Sequence, residues 1–380
     1  MKGTIAQAVL NAGLAAVFPA VAGKSTLPVL SNVLMVGTDD GVVLKATNLE
    51  IGIMVRLIAR VEVPGAITVP AKLLKDVVGS YPDAPIGLSL AERTQTLHLG
   101  SGLTYESSIK GISADEFPVF PEVRDGLRLT APAAQLRAAL GWTTYAAAAD
   151  DTRPVLAGVL VEARGRQIVF AAADGFRLAK TVITLPDSYD EAPTFSAIVP
   201  ARALSEAHQL MTLAAKDGDD VTIAISQSGG QLLIEMGNIT LITRLIEGRY
   251  PEIDRIIPAG FQTRAIASVT DLKRAVKLAS FVASTSSNIV RLVFEDAGEV
   301  GTITITANAA EVGDQKAVID AQVAGAGGQI AVNVKFLSEG VGLLDVAQVA
   351  LEIQTPQAPL VFSPVGVEGV THVLMPMTVR

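Results

Sequence analysis

The stretch TRPVLAGVLVEARGRQIVFAAADGFRLAKTVITLPDSYDEAPTFSAIVPARAL, Thr152–Leu204, decides the fold. It reads as an apolar strand over Val155–Val161, a turn at Ala163–Arg166 and a second strand over Gln167–Ala172. A polar corner at Ala173–Arg177 follows, then a third strand over Leu178–Leu185. A fourth strand, Phe195–Val199, runs into a helix at Pro200. The same order occurs upstream in Leu27–Leu74 and downstream in Ser286–Leu337. The corner residues Asn48, Asp174 and Asn308 are spaced by 126 and 134 positions. The strand-to-helix junctions VPAK at Val69, VPAR at Val199 and VNVK at Val332 are spaced by 130 and 133. A period of that size is far longer than a solenoid repeat and matches a whole domain. The chain therefore reads as three copies of one α+β fold, over 1–124, 125–262 and 263–380.

Composition narrows the function classes. Of 380 residues 49% are apolar, so each copy can bury its own core. The absence of cysteine excludes a disulfide framework, a zinc-thiolate site and a cysteine nucleophile, and suits a reducing cytoplasm. No charged-then-apolar leader pattern opens the sequence, and glycine and proline interrupt every apolar run before it reaches the length of about 18 residues that spans a bilayer. A net charge of −8 argues against a surface that coats nucleic acid all over, while leaving room for a local basic face.

Six helices are expected, over 5–18, 71–81, 132–146, 201–216, 270–284 and 333–346. The first is uncharged and Ala-rich, the third has Pro132 in its first turn, and the fifth is capped by Thr270 with Asp271 behind it. Period-2 meanders follow the second and fourth, and the third copy closes on a final strand that meets a Pro. The Pro-broken segments 114–123 and 247–258 read as linkers, and GAGG at Gly325–Gly328 as a hairpin.

Catalytic and metal chemistry find little footing. His98, His208 and His372 lie in different copies without a ligand partner at metal spacing. The acids Asp150–Asp151 and Asp217, Asp219 and Asp220 sit in turns, where Asp bonds the backbone. The GKS at Gly23–Ser25 lacks the earlier glycine of a phosphate loop, since Phe18 stands there, and reads as a solvated loop with Lys24 free to touch an anion. No convergent set of acid, base and stabiliser is visible; no cofactor and no metal are expected.

Charge placement is more informative. The six helices carry nine basic and five acidic residues, whereas the rest of the chain carries 21 and 33. A basic helical face on an acidic protein suits sequence-independent contact with phosphates. The candidates are Lys72, Lys75, Arg137, Arg202, Lys273 and Lys277. Aromatic residues at 4% argue against base stacking.

LPVLSNVLM, ATNLE, VPAKLL, DEFPVFPEV, DGFRLA, VPARAL, EGRYPEIDRIIP, TDLKRAVKLAS, ITAN and the terminal VLMPM together resemble, in collinear order along the whole chain, the bacterial DNA polymerase III beta subunit family. The resemblance implies a DNA clamp fold: a head-to-tail homodimeric ring of three-domain subunits, helices lining the hole and antiparallel sheets forming the outer wall. Ring arithmetic agrees. Helices about 10 Å apart give a bore near 10 Å for six and near 27 Å for twelve, against a duplex roughly 20 Å across. Two chains enclose a duplex; one does not.

Carried over by position, the resemblance implies a partner-peptide pocket between the second and third copies. It would be formed by Leu156, Ala173, Gly175, Phe176, Arg177, Leu178, Pro251, Arg255, Ile256, Phe336, Val373, Leu374, Met375, Pro376 and Met377. Its ligands would be short linear motifs of the replicative polymerase, the clamp loader and repair proteins. Lys24 matches a position where family members commonly carry Arg. The dimer interface would pair Tyr105 and Ser107 with Phe281 and Val282 of the next subunit. Departures are Phe176 where the family often has His, Thr378 where Arg is frequent, Asp150 where Gln is common, and a less apolar Ser107. The other class that stays open is an enzyme, a nucleotidyltransferase or hydrolase on a triplicated scaffold. The expected location is cytoplasmic and nucleoid-associated, without membrane contact.

Overall fold

The computed structural model describes residues 1–23, 25–120, 126–150, 152–214, 216, 218–296 and 300–378. Lys24, Asp151, Asp217 and the copy boundary near 124 lie outside the described residues.

One element order recurs three times: a strand and a helix, a set of strands, a second helix, then a three-strand meander. The first copy begins with β1 (Lys2–Ala6) and α1 (Gln7–Val17). Its set is β2 (Asn32–Thr38), β3 (Gly41–Thr47), β4 (Ile51–Leu57), β5 (Arg60–Val63) and β6 (Gly65–Pro70). Helix α2 (Ala71–Ser80) precedes β7 (Pro85–Ala91), β8 (Thr96–Ser101) and β9 (Tyr105–Lys110). The second copy runs β10 (Gly126–Pro132), α3 (Ala133–Thr143), β11 (Gly158–Gly165), β12 (Gln167–Ala173), β13 (Arg177–Thr184) and β14 (Ala192–Pro200). It continues with α4 (Ala201–Ala214), β15 (Asp220–Ser226), β16 (Gln231–Met236) and β17 (Ile239–Arg244). The third runs β18 (Thr263–Ser268), α5 (Val269–Ala283), β19 (Ile289–Glu295), β20 (Gly301–Ala309), β21 (Gly313–Gly325) and β22 (Gly328–Asn333). It ends with α6 (Val334–Gly342), β23 (Gln348–Ile353), β24 (Leu360–Pro364) and β25 (Val370–Leu374).

In every copy the last strand of the set lies beside the first: β6 on β2, β14 on β11, β22 on β19. This corrects the hairpin expected at Gly325–Gly328. Strands β20 and β19 stand between β21 and β22, so the glycines turn a crossing connection. Gly325, at φ +103, presses on the carbonyl of Gln262, where a side chain has no room.

The chain divides into two compact units, Met1–Ala134 with Glu206–Leu245, and Gln135–Ser205 with Ile246–Arg380. The first unit holds the sheets β5-β1-β7-β8-β9 and β10-β15-β16-β17-β4-β3-β2-β6. The second holds one sheet of twelve strands, β14-β11-β12-β13-β25-β24-β23-β18-β21-β20-β19-β22. Each unit contains one joint between copies, made the same way. In the first, β4 pairs antiparallel with β17, from Ile51↔Thr243 to Val55↔Ile239. In the second, β13 pairs antiparallel with β25, from Arg177↔Leu374 to Thr181↔Val370.

Helices form where apolar residues recur at helical spacing. Val269, Leu272, Val276, Ala279 and Ala283 of α5 face the third copy's core, where Phe294 and Phe362 are almost fully buried. Burying each such Leu or Phe contributes about 2 kcal/mol. Helices α1 and α2 pack together, as do α5 and α6.

Several element ends depart from expectation. Lys2–Ala6 is a strand with alternating exposure, so Ile5 and Ala6 are strand rather than the start of the first helix, and Gly3 lies flat against the carbonyl of Arg60. Uniform apolarity hid that alternation. Pro132 closes strand β10 and does not open α3, which stops at Thr143 before a 3-10 turn over Thr144–Ala146. Helix α5 is capped by Ser268, whose hydroxyl accepts from the amide of Asp271 at 3.3 Å, with Thr270 inside the helix. The 201–216 and 333–346 helices end at Ala214 and Gly342. Strand β11 starts at Gly158 after a 3-10 turn over Pro154–Ala157, because Pro154 denies the chain a ladder donor. Phe117, in the segment read as a linker, is buried with Val29 and Leu30.

Candidate functional site

The corner before β13 is a local sequence effect. Asp174 Oδ1 accepts from the amides of Phe176 and Arg177 at 2.8 and 2.9 Å, and Gly175 takes the positive φ of +94 that this turn needs. The turn sends Phe176 outward, 62% exposed, and Arg177 inward. Arg177 Nε donates to Asp174 Oδ2 at 3.0 Å, and Nη1 bonds Glu339. Its guanidinium lies 5.1 Å from the Tyr145 ring and 4.6 Å from the Phe336 ring, and Phe336 stacks on Phe176. Two carboxylates and two rings thus compensate a guanidinium whose side chain is only 10% exposed.

Below the corner, Leu156, Ala173, Leu178 and Val373 form one apolar cluster with Tyr250 and Ile253. The Tyr250 hydroxyl accepts from the amide of Ala173 at 3.0 Å, and burial pushes its pKa up to about 12. Leu374 is buried in the core of the third copy. At the surface are Phe176, Ile256 and Met375, and the Met375 amide donates to Phe176 O at 2.8 Å, which ties the end of β25 to the corner. Pro251 and Arg255 are exposed, with Arg255 paired to Glu252 at 2.7 Å. Pro376 and Met377 continue the chain past Met375. They line a groove of about 360 Å³ with Arg291, Gln329 and Pro356, and the Met377 amide donates to Ala331 O at 2.8 Å. Sequence reasoning missed Tyr145, Glu339, Tyr250 and His372. Only Tyr250 left a signal, standing in the segment that repeats at Phe117.

The expected phosphate contacts differ in availability. Lys72, Arg202 and Lys277 are exposed, and Arg137 is half-buried. Lys75 Nζ rests 4.4 Å from the centre of the Phe18 ring, and Lys273 Nζ donates to Leu344 O at 2.8 Å beyond the end of α6. Within the observed helix bounds eight basic and four acidic residues leave a net of four positive charges.

Tyr105 and Ser107 lie on β9, which ends its sheet. Tyr105 is 48% exposed, and Ser107 Oγ accepts from the Tyr81 hydroxyl at 2.9 Å. Phe281 is exposed near the end of α5, and Val282 packs on the core.

Among the described residues no group of three or more His, Cys, Asp or Glu could hold a metal, and no helix is long and apolar enough to cross a membrane. Asp150 and Asp219 accept from the amides of Thr152 and Lys216, as turn residues do.

Triplicated strand–helix sets joined edge to edge define a DNA clamp fold. Family models for the N-terminal, central and C-terminal domains of the DNA polymerase III beta subunit match residues 1–121, 130–252 and 254–378, and the chain belongs to that family. The beta sliding clamp of Synechococcus elongatus is 33% identical over 384 residues, covering 100% of both chains. That of Synechocystis is 32% identical over 397 residues, covering 99% of each. The crystal structure of the Pseudomonas aeruginosa sliding clamp bound to griselimycin matches with a TM-score of 0.90 at 26% identity, over 100% of both chains.

Proposed function

We infer that this chain is a DNA sliding clamp, a non-catalytic processivity factor that closes as a head-to-tail homodimer around duplex DNA and tethers the replicative polymerase. The carrying observation is the repeated joint. Strands β4 and β13 each pair with the last meander strand of the following copy. The corresponding strands left over are β21 and β9. Among the described residues β9 has one neighbour, and the Gly313–Asp320 part of β21 pairs only with β20. A third joint of the same kind then needs a second chain, β21 of one against β9 of the other. Tyr105, Ser107, Phe281 and Val282 flank it, with exposed Val318 on β21 itself.

Lys72, Arg202 and Lys277, with Lys24, Lys75, Arg137 and Lys273 contributing, meet the duplex through its phosphates without reading sequence. Three domains, over 1–124, 125–262 and 263–380, form each subunit. The corner at Phe176 and Arg177, with Leu156, Gly175, Ile256, Phe336 and Met375, receives short motifs of the polymerase, clamp loader and repair proteins in the cytoplasm, at the nucleoid. The enzyme alternative gains no support from the relatives.

Native mass measurement tests the joint, and a dimer is expected. The ring should also stay on a nicked circular duplex and leave when the circle is linearised. A strict monomer, or equal retention on both DNAs, overturns the reading.

A further inference from the structure

Six planar groups stand in file through the second unit, from core to surface. Fully buried Phe362 stacks on His372 with ring centroids 4.8 Å apart at 15°. His372, also fully buried, shares a 3.0 Å hydrogen bond between Nδ1 and the hydroxyl of Tyr145. The Tyr145 ring lies 5.1 Å from the Arg177 guanidinium, which lies 4.6 Å from the Phe336 ring. Phe336 stacks on Phe176 at 6.3 Å and 24°, and Phe176 faces solvent.

His372 makes little else of its position. Among the described residues its Nε2 has no hydrogen-bond partner, although a buried polar atom left unpaired costs stability that Leu or Phe would not. The single bond to Tyr145 is what distinguishes this side chain from an apolar one. Asp174 and Glu339 hold Arg177 by two of its nitrogens, Nε and Nη1. The Tyr145 and Phe336 rings, 5.1 and 4.6 Å from the guanidinium, bear on its tilt.

We propose that His372 and Tyr145 are positioning residues of the peptide pocket: their bond fixes the Tyr145 ring, the ring sets the tilt of Arg177, and Arg177 holds Phe336 and Phe176 at the pocket mouth. This rests on the corner being a docking site. The affinity of the pocket is then coupled to a hydrogen bond buried in the core below it.

The test separates positioning from stability. Replacing both partners, Tyr145→Phe with His372→Phe, removes the bond and the unpaired nitrogen together, so the thermal midpoint should hold or rise. Affinity for a fluorescently labelled peptide from the clamp-binding segment of the replicative polymerase should fall by about three- to tenfold, the worth of one hydrogen bond. If packing were the only role, affinity would follow the midpoint. Tyr145→Phe alone, one atom smaller, should show the same loss and serves should the double variant melt early. Arg177→Lys keeps the charge without the plane. It should weaken binding by itself, and adding the double substitution should weaken it no further. Unchanged affinity in the folded variants, or additive losses with Arg177→Lys, overturns the proposal. Absence of binding by the unaltered chain overturns the docking reading itself, and the proposal with it.

Discussion

The corners before β4 and β13 share a backbone and differ in what they hold. Asn48 Oδ1 accepts from the amides of Glu50 and Ile51 at 3.0 and 2.8 Å, as Asp174 does from those of Phe176 and Arg177. Leu49 takes φ +76 where Gly175 takes +94. Past the turn, the first corner exposes Glu50 and buries Ile51, 2% exposed, in an ordinary core. The second exposes Phe176 and buries a guanidinium between two acids and two rings. At the β20–β21 turn the device is gone. Asn308 sits within β20 and bonds Asp314 across the hairpin. The corner is thus a scaffold, and the proposed docking surface lies where its inward residue needs polar partners that reach toward the surface.

Matched substitutions should break or sharpen this contrast. Arg177→Ala strands Asp174 and the partly solvated Glu339, so a loss of about 2–4 kcal/mol is expected together with loss of peptide binding. Ile51→Ala should cost a similar amount, about 2–5 kcal/mol, through its cavity and leave peptide binding alone. Calorimetry paired with peptide titration checks both, and peptide binding lost in each would erase the distinction between the corners. Met375→Ala with Met377→Ala should abolish peptide binding while the native mass stays that of a dimer. Most of the effect should come from Met375, which is exposed and whose amide bonds Phe176 O at the corner.

The pH dependence is a gentler probe. Burial pushes His372 from its ordinary 6.5 down to about 3, whereas the matching position on β17 is Leu241. Protonation therefore favours the unfolded chain. Stability is full above the unfolded value of 6.5 and falls toward pH 3 by about 1.4 kcal/mol per pH unit. His372→Leu should remove one proton's worth of slope from a denaturant series between pH 6 and 4, as read against the unaltered chain; identical slopes would place the titration elsewhere. Smallest is the helical charge. Reversing Lys24, Lys72 and Arg202 together should lower the salt slope of DNA binding by about 0.9 for each phosphate no longer neutralised. An unchanged slope would remove these residues from the DNA path.

The triplication was legible because junctions such as VPAK and VPAR fix the same strand-to-helix transition at Pro70 and Pro200. The leading strands β1, β10 and β18 were not, because each runs without a turn into its helix and the pattern of the helix dominates. The crossing at Gly325–Gly328 was missed for a related reason: a glycine cluster marks a turn without naming the strand it leads to. At the site, Phe176, Arg177 and Met375 could be placed by resemblance. Tyr145 and His372 could not, being 227 residues apart in sequence and brought together only by the β13–β25 pairing.

The unmatched edges at β9 and β21 carry a consequence for assembly. Backbone donors and acceptors along an open strand pair with any chain that presents the complementary edge, so affinity alone does not set how many subunits join. In the proposed ring that number would follow from the angle turned at each joint, since six such turns would sum to a full circle when two chains seal. On that reading, a substitution that flattened one turn by a few degrees would leave the contact intact and give open fibres in place of the proposed closed pair.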